Sequence, residues 1–381
     1  MPAYFDNAAT TFPKPERVYK AMDAFYRQYG GNAGRGQYHL AAQASRLIAE
    51  TRQLVQRVLQ CENKDVIFTP SDTLALNMVI QGSLQGNRRV IYISPFEHNS
   101  VTRVLHHFEK IGKIQVHTLK LGDDYTYEMG LICKQFAKEP PDMVIVSHVS
   151  NVCGLICPVD KIFKEAKKYK ALTVVDMAQS AGLIPLFTGS DDIDFAVFAG
   201  HKTLYGPFGI SGFVKKKTVN LPPIIFGGTG IDSANQNMPD SVPARYEAGS
   251  TNIQAIAGLH AALQWLLENE KEIQQKEAEN HARLLEIVRS HSNIQVVGPQ
   301  NRAQCIGVVS CLFDQYSADN IGNVLDEMEI AVRTGLECAP IAHKCLGTFP
   351  AGTVRFSTSF FTTEEDFQEL EVALQYIEDN G

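Results

Sequence analysis

The chain has 381 residues, 44% apolar and 20% charged, a balance that suits a soluble globular protein with a large core and, at this length, two domains. Its net charge of −7 argues against a nucleic-acid or anionic-membrane surface, and no apolar run approaches the roughly 20 residues of a membrane-spanning helix. Eight cysteines in so long a chain are not a disulfide framework, and the opening MPAYFDNAATTF lacks the basic region and apolar core of a secretory signal, so a cytoplasmic, thiol-reduced protein is expected.

The short polar segment 4–11 is followed by Pro13 and Pro15, which open an amphipathic helix expected over 16–29 and closed at Gly30-Gly31. The glycine-rich stretch 32–38, NAGRGQY, carries Arg35. No strand precedes it and it is not a G-x-G-x-x-G fingerprint, so a dinucleotide-binding reading fails. A long helix is expected over 41–59, then a strand over 66–69 that breaks at Pro70. Ser71, Asp72 and Thr73 head the next helix, which starts near Leu74. Such a start offers free N–H groups and the positive end of the helix dipole to a phosphate. Plain capping by Ser71 or Asp72 accounts for the same residues.

Short apolar runs at 90–93, 143–146, 172–175 and 195–199 read as strands covered on both faces of a parallel sheet. Each runs into polar residues: Glu97, His98 and Asn99 after the first, His148 and Asn151 after the second, Asp176 after the third, His201 and Lys202 after the fourth. Open α/β sheets bind ligands at the carboxyl ends of their strands, which puts Asp176 and Lys202 at the mouth of one site. A desolvated lysine loses its proton and forms a Schiff base, and a buried aspartate needs a cationic partner. The pair fits pyridoxal 5′-phosphate (PLP), the lysine to the aldehyde and the aspartate to the pyridinium nitrogen. His98 can lie flat on an aromatic ring and Asn151 can hydrogen-bond one, or either is a satisfied loop residue. Gln179 points the same way as Asp176 if a helical turn begins there.

The basic stretches 165–170 and 215–217 read as solvated surface, and the Gly-, Pro- and Asn-rich 221–240 as a long loop of the kind that is often functional. Cys153 and Cys157 have no second pair at zinc-ligand spacing, so no metal site is expected. A helix over 253–290 carries the domain boundary. Beyond it, strands at 294–297, 307–313, 330–333 and 353–357 alternate with helices at 318–328 and 364–378, the second introduced by Thr363 and Asp366. Cys338, in a short loop after a strand, is a structural thiol or a thiolate nucleophile. Arg355, within a strand, faces water or clamps a carboxylate through its bidentate guanidinium.

The segments YFDNAATTFPKP, NAGRG, FTPSDTLALN, EHNSV, SHVSNVCG, VVDMAQSAG, FAGHKTLYGPFG, RYEAGSTN, RTGLECAP and VRFSTSFFTTEED follow one another in this order. In them the chain resembles the class V aminotransferase group of fold-type I PLP enzymes, and within it the cysteine desulfurases, on the branch with a short segment around the cysteine. The resemblance implies an α/β fold: a mainly parallel large domain over 14–262 and a smaller α+β domain from 1–13 and 263–381. It implies that Lys202 holds PLP as a Schiff base, Asp176 pairs with the ring nitrogen, Gln179 meets the ring oxygen, and His98 stacks on the ring and shuttles protons. Thr73 and His201 would hold the phosphate, beside Asp72. Asn151 would lie near the ring oxygen and the substrate carboxylate, Arg355 would bind that carboxylate, and Arg35 would help line the pocket. Ser250 would reach the phosphate of a partner subunit, which makes a homodimer. Cys338 would take sulfur from L-cysteine, leaving L-alanine and a persulfide for an acceptor protein.

Three positions depart from the family pattern. Ala199 removes a hydroxyl that commonly precedes Gly-His-Lys. Asp72 places a carboxylate beside the phosphate seat, repulsive unless turned away. Glu337 stands where the family usually has His, and a carboxylate next to Cys338 disfavours its thiolate, slowing desulfuration or shifting the chemistry. The alternatives are a selenocysteine lyase, a C–S lyase or an aminotransferase on the same frame, with Cys338 not catalytic, and a non-catalytic binding member.

Overall fold

The computed structural model describes residues 2–31, 33, 38–231 and 234–380. In chain order its elements are β1 (Ala3–Tyr4), α1 (Glu16–Tyr29), α2 (His39–Val58), β2 (Asp65–Thr69), α3 (Asp72–Ser83), β3 (Val90–Ile93), α4 (Asn99–Lys110) and β4 (Gln115–Thr118). Next come α5 (Met129–Lys138), β5 (Met143–Ser147), α6 (Val159–Lys167), β6 (Leu172–Asp176), β7 (Phe195–Ala199), β8 (Ser211–Lys215) and α7 (Ile253–Ser290). The chain ends with β9 (Ile294–Val297), β10 (Val308–Phe313), α8 (Ala318–Glu327), β11 (Ile330–Ala331), β12 (Arg333–Gly335), α9 (Pro340–Leu346), β13 (Thr353–Ser357) and α10 (Glu364–Asp379).

The continuous apolar runs are buried along their whole length in β5, β6 and β7, as strands covered on both faces must be. They lie in a seven-stranded sheet of order β2-β8-β7-β6-β5-β3-β4. Only β8 runs antiparallel to its neighbours. The carboxyl ends of β2, β3, β5, β6 and β7 therefore share one edge. The chain leaves β3 for β4 on one side and returns to β5 on the other, which opens a crevice between the ends of β3 and β5, the place where such sheets take ligands.

The helix α7 is 38 residues long and kinks at Asn269, whose backbone leaves the helical region while its side-chain amide donates to the Trp265 carbonyl at 2.8 Å. Before the kink α7 packs into the core of the large sheet, and beyond it Leu284, Ile287 and Val288 pack into a second core. That core covers an antiparallel sheet of order β12-β13-β10-β9. The strand expected over 330–333 is two pieces in different sheets: β11 pairs parallel with β1, and β12 pairs antiparallel with β13. One lysine in each of the two basic stretches also differs from expectation. Lys167 is ion-paired to the buried Asp194. Lys215 is itself buried, 3.4 Å from Asp65, with its amine on the Lys216 and Val219 carbonyls, because β8 carries it into the sheet instead of a solvated turn.

Candidate active site

The turn after β7 is tight. A side chain on Gly200 would meet the Ile210 carbonyl at 2.2 Å, so only glycine fits there. The Gly206 N–H closes onto the Gly200 carbonyl at 2.8 Å. This turn presents Lys202 to a narrow cleft whose walls include Asp72, His98, Asn151, Asp176 and Gln179. Residues from the ends of β3, β5, β6 and β7 thus meet where the sheet topology requires.

Asp176 is 5% exposed and accepts the Ala178 N–H at 2.9 Å. Burial, reinforced by the charge of Asp72, raises its pKa to about 6. Among the described residues no cation lies within ion-pair distance of it. The carboxyl is therefore built to receive a positive charge from a ligand. Asp72, at the first position of α3, faces the same cleft and is not turned away. The helix starts two residues before the expected Leu74 because Ser71 caps it, accepting the Leu74 N–H at 3.2 Å. Thr73 lies on the outer side, in a neighbouring hollow of about 560 Å³ that it shares with His98 and Cys338.

His98 caps α4, and its Nδ1 accepts the Ser100 N–H at 3.1 Å. Burial, with the Lys202 charge second, lowers its pKa to about 4, so the ring is neutral at physiological pH. Its neighbour Glu97, which sequence reasoning passed over, is fully buried under the crevice. It accepts from the Ser94 hydroxyl at 2.5 Å and from the Ser147 N–H and hydroxyl at 2.6 and 2.9 Å, and burial raises its pKa to about 8. It clamps the ends of β3 and β5 together beneath His98. A carboxylate flanked by strand-end residues is the signal that could have found it.

His201 stacks on Phe208 at 4.6 Å, its pKa is lowered to about 4 by burial, and its buried Nδ1 has no hydrogen-bond partner. Its carbonyl is gripped by the N-terminal segment: the Thr11 N–H at 3.2 Å, the Thr10 hydroxyl at 3.0 Å and the Lys14 amine at 2.6 Å. Burial lowers the Lys14 pKa to about 7. The YFDNAATTFPKP segment, read from sequence only as polar, thus holds the lysine turn in place. Gln179 joins the same segment, donating to the Ala8 carbonyl at 2.8 Å.

Arg355 does not face water. It is buried in β13, where Nη2 donates to Asp6 at 2.7 Å and Nη1 to the Asn151 carbonyl at 3.1 Å, while the buried Nε has no partner. Asn151 in turn donates to the Glu337 carbonyl at 2.7 Å, and the Asn99 N–H donates to the Cys338 carbonyl at 2.7 Å. The Cys338 loop is therefore tied to the inner cleft through its backbone. Glu337 and Cys338 both adopt left-handed backbone, with φ of 40° and 58°, which is costly outside glycine and needs such ties.

The Glu337 carboxylate is engaged by His343. It is buried, 2.5 Å from His343 Nε2, while His343 Nδ1 lies 2.7 Å from the Thr348 hydroxyl. Cys338 is exposed on the other side of the loop. It does not border the inner cleft. It sits one step out, in the hollow that meets the cleft at His98. Ser250 borders neither space of this chain, lying in a separate hollow with Pro70 and Gly209. Arg35 lies outside the described residues. Ala199 is buried at the end of β7, and the hydroxyl near the turn comes instead from Ser211, which accepts the Gly200 N–H at 3.3 Å.

The residues fit PLP: an acid awaiting a cation, a lysine amine in the same cleft, and an unpartnered buried imidazole nitrogen. Among the described residues no helix is long and apolar enough to cross a membrane. A probable cysteine desulfurase of Aeropyrum pernix is 33% identical over 393 residues, covering 98% of this chain and 94% of that protein. A cysteine desulfurase of Pectobacterium carotovorum is 30% identical, covering 98% and 93%. The apo structure of the cysteine desulfurase from Thermococcus onnurineus NA1 superposes with a TM-score of 0.91 at 28% identity, over 100% of this chain and 95% of that one. The Escherichia coli cysteine desulfurase CsdA does so with a TM-score of 0.85 at 25% identity, again over 100% and 95%. The profile of the aminotransferase class-V family matches residues 3–370, and the chain belongs to that family.

Proposed function

We propose that the protein is a PLP-dependent cysteine desulfurase that converts L-cysteine to L-alanine and carries the sulfur as a persulfide on Cys338. The observation that carries this reading is the placement of an exposed thiol one step outside a buried Lys202–Asp176 cleft. The named activity of relatives matched over nearly their whole length supports it.

PLP, when bound, supplies an electron sink for the carbanion that C–S cleavage creates. Lys202 would hold it and afterwards move protons with its freed amine. Asp176 would pair, ionised, with the ring nitrogen and keep it protonated. His201 Nδ1 and the N–H groups at the start of α3, by Thr73, would receive the phosphate, with Asp72 facing the same cleft. Neutral His98 would cover the ring and accept or return a proton. Gln179 and Asn151 would serve the ring oxygen. Arg355 binds the substrate carboxylate with its free Nε and by loosening its hold on Asp6. Cys338, as thiolate, attacks the substrate sulfur. Its Sγ–S bond forms as the substrate C–S bond breaks, so no external oxidant is needed.

Residues 14–262 form the cofactor-binding domain and 1–13 with 263–381 the smaller one, a division supported by the kink at Asn269 and the two separate cores. Ser250 serves the phosphate of a partner subunit, giving a homodimer. Eight free thiols suit a reducing, cytoplasmic setting. The test is product analysis with L-cysteine and a reductant: alanine and sulfide from the wild type, and neither from Cys338→Ala with its cofactor absorbance intact. Pyruvate and ammonia from both proteins would make it a lyase.

A further inference from the structure

Outside Cys338 the surface opens into a groove of about 620 Å³ between α4, β12 and α9. The chain as a whole carries a net charge of −7, yet this groove is basic. Arg103 and His106 come from α4, Arg333 from β12 and Lys344 from α9, and all four are exposed. Among the described residues none of them lies within ion-pair distance of a carboxylate. Lys344 is steadied over the Phe349 ring, 5.0 Å from its centroid, which leaves its charge free. The one carboxylate in the groove wall, Glu337, is turned inward onto His343. Asp319, near β12, is bound to the Thr334 hydroxyl at 3.1 Å.

We propose that this groove is the docking surface of the sulfur acceptor, and that the acceptor is a protein presenting its thiol on an acidic segment. The proposal rests on the desulfurase reading. The cations come from three separate elements around the thiol. A groove of about 620 Å³ walled by three elements is larger than a small anionic thiol fills and suits a polypeptide segment. Uncompensated like charges around an exposed nucleophile steer an oppositely charged partner to it. The transfer balances without a further reagent. The acceptor thiolate bonds to the terminal sulfur of the Cys338 persulfide, the Sγ–S bond breaks, and Cys338 leaves as thiolate.

The experiment uses the holoenzyme with peptides carrying one cysteine flanked by glutamates, by serines or by lysines. Sulfur on each peptide is followed by mass spectrometry after a pulse of L-cysteine, and binding of the cysteine-to-serine peptides by fluorescence anisotropy. The acidic peptide is expected to receive sulfur at least about tenfold faster than the neutral one at low ionic strength, and the advantage to collapse near 0.5 M salt, where the Debye length shrinks to roughly 4 Å. Arg333→Glu with Lys344→Glu should reverse the peptide order while alanine release with dithiothreitol persists. Equal rates for all peptides would overturn the proposal. So would mercaptosuccinate accepting sulfur as fast as the acidic peptide, which would mark a small-molecule site. If no alanine appears even with dithiothreitol, the desulfurase reading falls and the acceptor surface with it.

Discussion

Lys202 and Cys338 are the two side chains on which the proposed chemistry turns, and the chain supports them by different means. Lys202 stands on a glycine-closed turn at the end of a buried strand. Its neighbours are strand ends locked by Glu97, and its carbonyl environment is gripped by Thr10, Thr11 and Lys14. Cys338 stands on a short loop of the other sheet. Its loop is held by hydrogen bonds from the Asn151 side chain and the Asn99 N–H to the Glu337 and Cys338 carbonyls and, from beneath, by the Glu337–His343 pair. The first region is narrow and lined by buried residues; the second is open and basic. On the proposed reading, the site that would enclose a cofactor is built on sheet geometry, and the thiol that would hand sulfur to another molecule is built on a loop that side chains hold in an otherwise unfavourable backbone conformation.

The largest effect that separates the two regions is expected from Lys202→Ala. Alanine release should fall by about 10³ or more, as for loss of a proton-transferring group, while the rate of Cys338 alkylation by iodoacetamide stays at the wild-type value. A matching fall in alkylation would mean that the two regions are one. Next comes Glu337→Ala. Removing one half of a buried hydrogen-bonded pair should cost about 1–3 kcal/mol, read as a lowered denaturant midpoint, whereas Glu337→Gln, which can still meet His343, should lose clearly less. Equal midpoints for the alanine variant and the wild type would show that the pair does not hold the loop.

Arg355→Lys sharpens the link between the regions. Losing the forked donor should raise KM for L-cysteine by about tenfold, the equivalent of one charge-assisted hydrogen bond, with kcat changed less. A change in kcat alone would place Arg355 elsewhere in the reaction. The gentlest effect is a slope with pH. Glu277, which accepts the Tyr205 hydroxyl at 2.6 Å, has its pKa raised to about 7 by burial. A folded-state value above the ordinary carboxyl means that the fold binds this proton more tightly. The contribution is complete below about pH 4.5 and is lost as pH climbs through 7. Tm of the wild type should therefore decline from pH 5 toward pH 8, and Glu277→Gln should flatten that decline. On the acid side His98 and His201, both lowered to about 4, contribute above pH 6.5 and cease to as pH falls toward 4.

Much of the inner cleft was legible because its signal is local. An apolar run ending abruptly in Asp176, or in Gly200-His201-Lys202, states both the strand and the place of the charge. The outer region was not legible in the same way. Glu337 looks like a hazard to Cys338 until His343, six residues on, is seen beneath it. Arg355 looks like a surface strand residue until Asp6, from the far end of the chain, is seen against it. The seven-residue helix α9 and the two-residue strand β1 carry too few residues for a period to emerge.

What the sequence determined by itself is the run of buried parallel strands β3, β5, β6 and β7 and the place of the lysine, because strands covered on both faces must be continuously apolar and their polar ends must then gather at one edge. What only the tertiary structure decided is the direction of each side chain around Cys338. It decided equally the splitting of 330–333 between two sheets and the burial of Lys215, since those depend on which distant segment arrives as a partner for a charge or a backbone edge.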